Sequence, residues 1–377
     1  MEKDKILELP IYKNKKGKYL VKKDIVTDFP NNFNIVDKGE YEYATTSGTT
    51  SDRMEIIRKP GWWKEEYERT YANNSKLQKY LDEGLHKIIF TTAQCSNLIC
   101  FVDKPPMEER TIGNTLYVNN TFNPWQWTKD DIKNISKEIN LFKPYYLDAD
   151  PVYLGIFLYL RKKYNIKTKL HVPEIITLSY EYVTTNLKEY IKDYFKTDVK
   201  NLYGTTEFGY IFLENEEGKM AFCKDKADVK LLKVKEDLYT LIVDSYKNEY
   251  MPLLDYQVGD MVNATKEQYK SFKKDMVVEK MAGREKDLLK GNISYGDIDN
   301  IMQKIDNLLL YQFFVVNDNN LILKYIKLDD SELEDKDKKY IEKEFNKLGY
   351  EGEITFTRVK EIAPEVSGKF AIVKRGV

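Results

Sequence analysis

Apolar and polar positions change period several times along this chain, and the changes outline its elements. The first forty residues are polar and interrupted by Pro10, Pro30 and Asn31-Asn32, which predicts an irregular lead-in with one or two short strands. From 63 to 83 apolar residues recur at helical spacing (Trp63, Tyr67, Tyr71, Leu77, Leu81) and the run stops at Gly84, so one helix is predicted there. Short apolar runs at 87–90 and 97–102 suit buried strands. Thr128 and Asp131 have capping-box spacing and open another helix, and 151–164 starts with Pro and carries Tyr153, Phe157 and Leu160 on one stripe. A strand near 169–172, a helix across 182–195 and a strand at 199–202 that runs straight into Tyr203 continue the alternation.

From about residue 220 the pattern becomes strands and turns, at 227–232, 238–243, 260–263 and 277–281. Beyond Arg284 it changes again: a helix at 295–305, a hairpin of 311–316 with 321–325 around Asn317-Asp318-Asn319-Asn320, a charged helix at 331–348 and a strand at 353–359. The expected fold is α/β: a large N-terminal domain with a mostly parallel sheet plus an antiparallel β subdomain, followed by a small α+β lid. The expected boundary divides a core at 1–285 from a mobile C-terminal domain at 286–377, with a hinge at Lys286. The charged stretch 329–339 reads as a solvated helix face.

Composition narrows the function classes. The chain's 377 residues suffice for more than one core, and 60 basic against 61 acidic side chains lack the basic footprint of a nucleic-acid partner. Only two histidines occur, His86 and His171, and neither sits in a motif that suits a general base. Cys95, Cys100 and Cys223 lack metal-ligand or redox spacing, which predicts reduced structural thiols. The charged start Met1-Glu2-Lys3-Asp4-Lys5 has no apolar core, and no apolar run reaches transmembrane length. A soluble cytoplasmic protein, with no membrane and no nucleic acid among its partners, is the expectation.

Candidate chemistry lies in five short polar motifs. Thr45-Thr46-Ser47-Gly48-Thr49-Thr50-Ser51-Asp52-Arg53 packs hydroxyls and a glycine into a stretch whose N–H and O–H groups can wrap phosphate oxygens, with Arg53 to neutralise charge. It lacks the Gly-Lys-Ser/Thr ending of a Walker loop. Tyr203-Gly204-Thr205-Thr206-Glu207 follows a predicted strand, where α/β sheets place ligand contacts; Glu207 can hold Mg2+ that bridges phosphates. Gly259-Asp260, Gly283-Arg284-Glu285-Lys286-Asp287 and Ser367-Gly368-Lys369 complete the set. Taken singly, each also reads as an ordinary turn, a surface charge or a solvated tail. Trp62-Trp63 and the Trp125/Trp127 pair read first as packing.

In this order the motifs resemble those of the adenylate-forming superfamily, which includes acyl-CoA synthetases, peptide-synthetase adenylation domains and luciferase. The phenylacetate–CoA ligase branch is the most similar. The resemblance covers 43–375, with only 42 residues ahead of Tyr43 where relatives carry a full subdomain. It implies that Thr46, Ser47, Gly48, Thr49 and Thr50 grip the phosphates of ATP, with Arg53 standing where relatives have a lysine. It further implies that Tyr203 lies against adenine, with Gly204 and Thr205 beside it. Thr206 then contacts phosphate, Glu207 binds Mg2+, Asp260 holds the ribose hydroxyls and Arg284 contacts the ribose. Lys286 becomes a hinge and Lys369 the catalytic lysine. The glycine-rich segment that relatives place ahead of the 182–195 helix is here Leu178-Ser179-Tyr180-Glu181.

The implied reaction is attack of a small carboxylic acid on the α-phosphorus of ATP, giving acyl-AMP and pyrophosphate. Acyl transfer to the thiol of coenzyme A or an acyl carrier protein would follow. A carboxylate is already ionised at neutral pH, so no base is required, in keeping with the scarcity of histidine. The alternatives are an acyl-protein synthetase or amide-forming ligase that uses the same adenylate, and a catalytically silent nucleotide-binding subunit.

Overall fold

The computed structural model describes residues 3–34, 40–46, 53–91, 105–119, 122–223, 227–245 and 248–376. The chain forms two compact units, each assembled from separated stretches: Met1–Asn74 with Leu202–Lys286, and Ser75–Asn201 with Asp287–Val377. It therefore passes between them at 74/75, 201/202 and 286/287.

The second unit contains the parallel sheet. Strands Lys87–Phe90, Tyr146–Ala149 and Ile175–Leu178 are adjacent and parallel, and Thr115–Tyr117 flanks the first of them. Residues 198–201 of the strand Asp198–Thr205 pair in parallel with Ile175–Leu178. The three adjacent strands are buried at every position, as expected of parallel strands covered on both faces. Helix Pro151–Lys163 is buried along 151–161, with Asp150 accepting from the amides of Val152 and Tyr153 at its start. Helix Lys129–Phe142 begins with the expected Thr128/Asp131 capping box.

The C-terminal stretch forms a sheet of Glu353–Arg358, Asn320–Lys327, Leu308–Asn317 and Val373–Arg375, with helices Tyr295–Met302 and Asp335–Lys347. It shares a core with the parallel sheet's helices: Leu309, Leu310, Ile326 and Ile362 pack in one cluster with Ile156, Leu187 and Ile191. Asp299 receives the amide and hydroxyl of Thr185, at 2.9 and 2.7 Å, capping helix Thr185–Phe195.

The first unit contains a hairpin of Glu42–Thr45 and Glu55–Arg58, helix Trp62–Tyr71, and two antiparallel assemblies. In one, residues 202–205 pair with Gly209–Glu214, which pairs with Met220–Phe222. In the other, Asp228–Lys235, Leu238–Ser245, Leu253–Asn263 and Lys280–Arg284 lie side by side.

The α/β reading holds, with local corrections. The single helix expected at 63–83 is two, Trp62–Tyr71 and Ser75–Glu83. The Asn73 side chain bonds back to the carbonyls of Arg69 and Thr70, ending the first helix by the local competition that asparagine offers. The strand expected near 169–172 lies instead at Ile175–Leu178, beyond Pro173, where the apolar run is longer and wholly buried. The lead-in holds the short helices Lys3–Leu7, Pro10–Asn14 and Lys22–Val26, with a single bridge from Leu20 to Tyr256 in place of the expected strands. The run 97–102, with Cys95 and Cys100, lies outside the described residues, and Cys223 is buried.

Asp148, fully buried on Tyr146–Ala149, pairs with buried Lys87 at 3.0 Å and accepts from Thr177 and Ser179 at 3.0 and 3.1 Å. Removing one partner strands a buried charge. Lys87→Ala should therefore lower unfolding free energy by about 3–5 kcal/mol in urea titrations, whereas an exposed pair such as Lys133–Asp130 contributes at most about 1 kcal/mol.

Candidate active site

Three of the motifs meet in the first unit, two of them through strand register and the third through a tyrosine hydroxyl. Asp260 on Leu253–Asn263 is the direct cross-strand partner of Arg284 on Lys280–Arg284, and Met261 faces Gly283. Gly259 and Gly283 take φ of +84° and +87°, the left-handed region that favours glycine, where this pairing is irregular. Arg284 Nε lies 3.5 Å from Asp260 Oδ1, and the Tyr203 hydroxyl donates to Asp260 Oδ2 at 2.7 Å. One carboxylate thus joins residues 57 and 24 positions away from it in sequence. Burial, followed by the charge of Asp260, holds the Tyr203 hydroxyl protonated well above the usual tyrosine range.

Gly204 is required by close approach: a Cβ there would stand 2.5 Å from the Gly209 carbonyl oxygen and 2.8 Å from Tyr210 Cα. Thr205 ends the strand and accepts from the Phe208 amide at 3.3 Å; Thr206 and Glu207 follow in the turn, both half-buried. The Tyr256 hydroxyl reaches Glu207 Oε1 at 3.5 Å. Burial raises the Glu207 carboxyl, opposed by hydrogen bonds from its own amide and from Thr205 and by the charge of Lys22.

Lys22 has no counterpart among the residues singled out from sequence. Its ammonium donates to Thr46 Oγ1 at 3.3 Å while the Met54 amide donates to the same oxygen at 2.9 Å. Thr46, buried, thereby closes the base of the hydroxyl-rich loop. Ser47, Gly48, Thr49 and Thr50 lie outside the described residues, and Arg53 at the far end is exposed.

Lys369 belongs to the second unit. It sits in a tight turn in which the Glu365 amide donates to the Lys369 carbonyl and the Gly368 amide to the Glu365 carbonyl, each at 2.8 Å, with Gly368 at φ +80°. The Tyr153 hydroxyl donates to the Gly368 carbonyl at 3.1 Å, and the Phe370 amide donates to Glu181 Oε2 at 2.6 Å. Asp150 and Glu181 both feel the Lys369 charge, and burial raises both carboxyls. Tyr180 adopts φ +76° and its hydroxyl reaches Asp148 Oδ2 at 3.3 Å, so a tyrosine takes a glycine-like backbone conformation in Leu178-Ser179-Tyr180-Glu181.

His86 and His171 face the backbone carbonyls of Phe142 and Pro144. Trp127 is core, and Trp62 and Trp63 pack edge-on with the Arg58 guanidinium over both rings. Among the described residues no helix is long and apolar enough to cross a membrane.

The fold is shared with several solved CoA ligases. The chain is similar to 2-hydroxyisobutyryl-CoA ligase in the postadenylation state with R3-HIB-AMP, at TM-score 0.66 and 12% identity over 100% of this chain and 83% of that one. It is similar also to the anthranilate CoA ligase AuaEII with anthranoyl-AMP (TM-score 0.59, 14% identity, 88% and 65% covered). A benzoate CoA ligase from Burkholderia xenovorans LB400 gives TM-score 0.56 at 13% identity, with 88% and 66% covered. In sequence the chain is 26% identical over 232 residues to Protein CapK of Staphylococcus aureus, 60% of this chain and 50% of that protein. The match thus spans about half of that relative's own length. No protein-family model matches the chain.

Because the folded Glu207 carboxyl is raised above its unfolded value, its contribution to stability is full at low pH and is lost as pH rises through the raised value. Glu207→Gln should remove that decline, read as a flatter dependence of Tm on pH above the ordinary carboxylate range.

Proposed function

We propose that the chain activates a small carboxylic acid with ATP, forming acyl-AMP and releasing pyrophosphate, and then passes the acyl group to a phosphopantetheine thiol of coenzyme A or a carrier protein. The observation that carries this reading is the convergence of Tyr203 and Arg284 on the Asp260 carboxylate within a fold shared with acid–CoA ligases. Asp260 Oδ1 and the Arg284 guanidinium offer an acceptor and donors side by side, which suits a ribose diol. Tyr203 supplies a flat face for adenine, kept neutral by its bond to Asp260.

Thr46, Thr205, Thr206 and Lys22 provide hydroxyls and a cation for the phosphates, together with the loop residues Ser47–Thr50 and Arg53. Glu207 and the neighbouring Thr205 hydroxyl are hard oxygen donors, and Mg2+ typically takes one or two carboxylates plus phosphates and water. When bound, Mg2+ neutralises phosphate charge. Catalysis then rests on positioning and electrostatic stabilisation, with the substrate carboxylate as an already ionised nucleophile. Lys369 is assigned to the α-phosphate and the substrate carboxylate, where negative charge gathers during transfer.

The test is ATP–pyrophosphate exchange against aryl, fatty and amino acids. Exchange should depend on one class of acid and fall about 100- to 1,000-fold in Lys369→Ala, with ATP binding retained. Undiminished exchange in that variant would remove Lys369 from the reaction.

In the same reading the stretch 286–377 works as a lid whose rearrangement between half-reactions pivots at Lys286, where the chain leaves the first unit. Lys286→Pro should retain exchange and lose thioester formation, scored as acyl-CoA appearing after a single adenylation. Normal thioester yield would refute the pivot.

A further inference from the structure

Asp150 and Glu181 follow the carboxyl ends of neighbouring parallel strands, Tyr146–Ala149 and Ile175–Leu178, and meet beside the turn that carries Lys369. Asp150 belongs to none of the motifs discussed above, and Glu181 ends the Leu178-Ser179-Tyr180-Glu181 segment. Asp150 Oδ1 already accepts two amides at the start of helix Pro151–Lys163, where the helix dipole favours a negative charge. Glu181 Oε2 accepts the Phe370 amide, while its Oε1 is fully shielded from solvent with no other protein donor. Burial raises both carboxyls and each feels the other, so the pair favours one shared proton, on Glu181 because the capping amides hold Asp150 ionised.

So arranged, the pair carries one negative charge, opposite the Lys369 ammonium. Backbone bonds pin the residues on either side of that lysine: Gly368 through Tyr153 and Phe370 through Glu181. The Phe370 ring also packs edge-on against Tyr153 at 5.8 Å between centroids.

We propose that Glu181 is a positioning residue for Lys369: it holds the Phe370 amide, while Asp150, with which it shares a proton, balances the lysine's charge. This rests on the adenylation reading above. Loss of the shared proton would place two carboxylates side by side in a shielded site, so the hold weakens as pH rises. The ionisable groups that set this response are Asp150, Glu181 and Lys369 themselves.

The experiment uses the full chain with Glu181→Ala and Glu181→Gln. Glutamine keeps an oxygen for the Phe370 amide and offers its NH2 to Asp150, standing in for the protonated carboxyl at every pH. Amide exchange at Phe370 should accelerate about tenfold in Glu181→Ala, the loss of one hydrogen bond, and return toward wild type in Glu181→Gln. The kcat of ATP–pyrophosphate exchange should fall by about tenfold or more in Glu181→Ala with KM for ATP unchanged, and Glu181→Gln should recover most of it. Wild-type kcat should decline with rising pH, and that decline should be absent from Glu181→Gln.

Unaltered Phe370 exchange in Glu181→Ala would overturn the proposal. Equal kcat loss in both variants, or a change confined to KM for ATP, would overturn it too. Silence of the wild type across all acids would instead overturn the adenylation reading, and with it this role in catalysis, while Phe370 exchange would still show whether Glu181 holds the turn.

Discussion

A parallel strand covered on both faces has to satisfy every backbone polar group within its sheet, which leaves its carboxyl end as the place for chemistry. Lys87–Phe90, Tyr146–Ala149 and Ile175–Leu178 obey this constraint, being buried throughout. Asp150, Glu181 and Tyr203 appear just past the last buried residues of successive strands, or near them. The one charged side chain within these strands' centres, Asp148, is admitted because Lys87, Thr177 and Ser179 surround it.

Much of the architecture was legible because each signal was local. Thr128 caps its helix through the neighbouring turn, Pro151 opens the next, and the 317–320 turn closes its hairpin, so propensity and tertiary structure agree. The misplaced strand near 169–172 shows the opposite case. Leu170 is buried without being in a strand, and period alone cannot distinguish a packed loop from a short strand. Asn73-Asn74 interrupts a helical stripe that the apolar spacing carries through without a break.

The candidate site was legible only as far as motifs reach. Order along the chain pointed to Tyr203, Asp260 and Arg284; strand register sets Asp260 against Arg284, and the Tyr203 hydroxyl joins them. Lys22, Asp150 and Glu181 carried no comparable signal. Lys22 acts through Thr46, 24 residues on, from a segment that reads as polar lead-in. Glu181 acts through Phe370, 189 residues on. Tyr180 hides a glycine-like backbone behind a large side chain, so composition gave no hint of its conformation. Such partners are chosen by topology, and a single sequence does not display its topology directly.

The threefold passage of the chain between units bears on how this protein is made. Neither unit is complete when its first stretch leaves the ribosome: Met1–Asn74 awaits Leu202–Lys286, and Ser75–Asn201 awaits everything after Asp287. Until the last strands are synthesised, the apolar surface around Ile156 and Leu187 lacks Leu310 and Ile362 to cover it. Long sequence separation between partners slows folding and prolongs the exposure of such surfaces. A nascent chain of this kind is therefore a natural client for chaperones that shield apolar patches during synthesis.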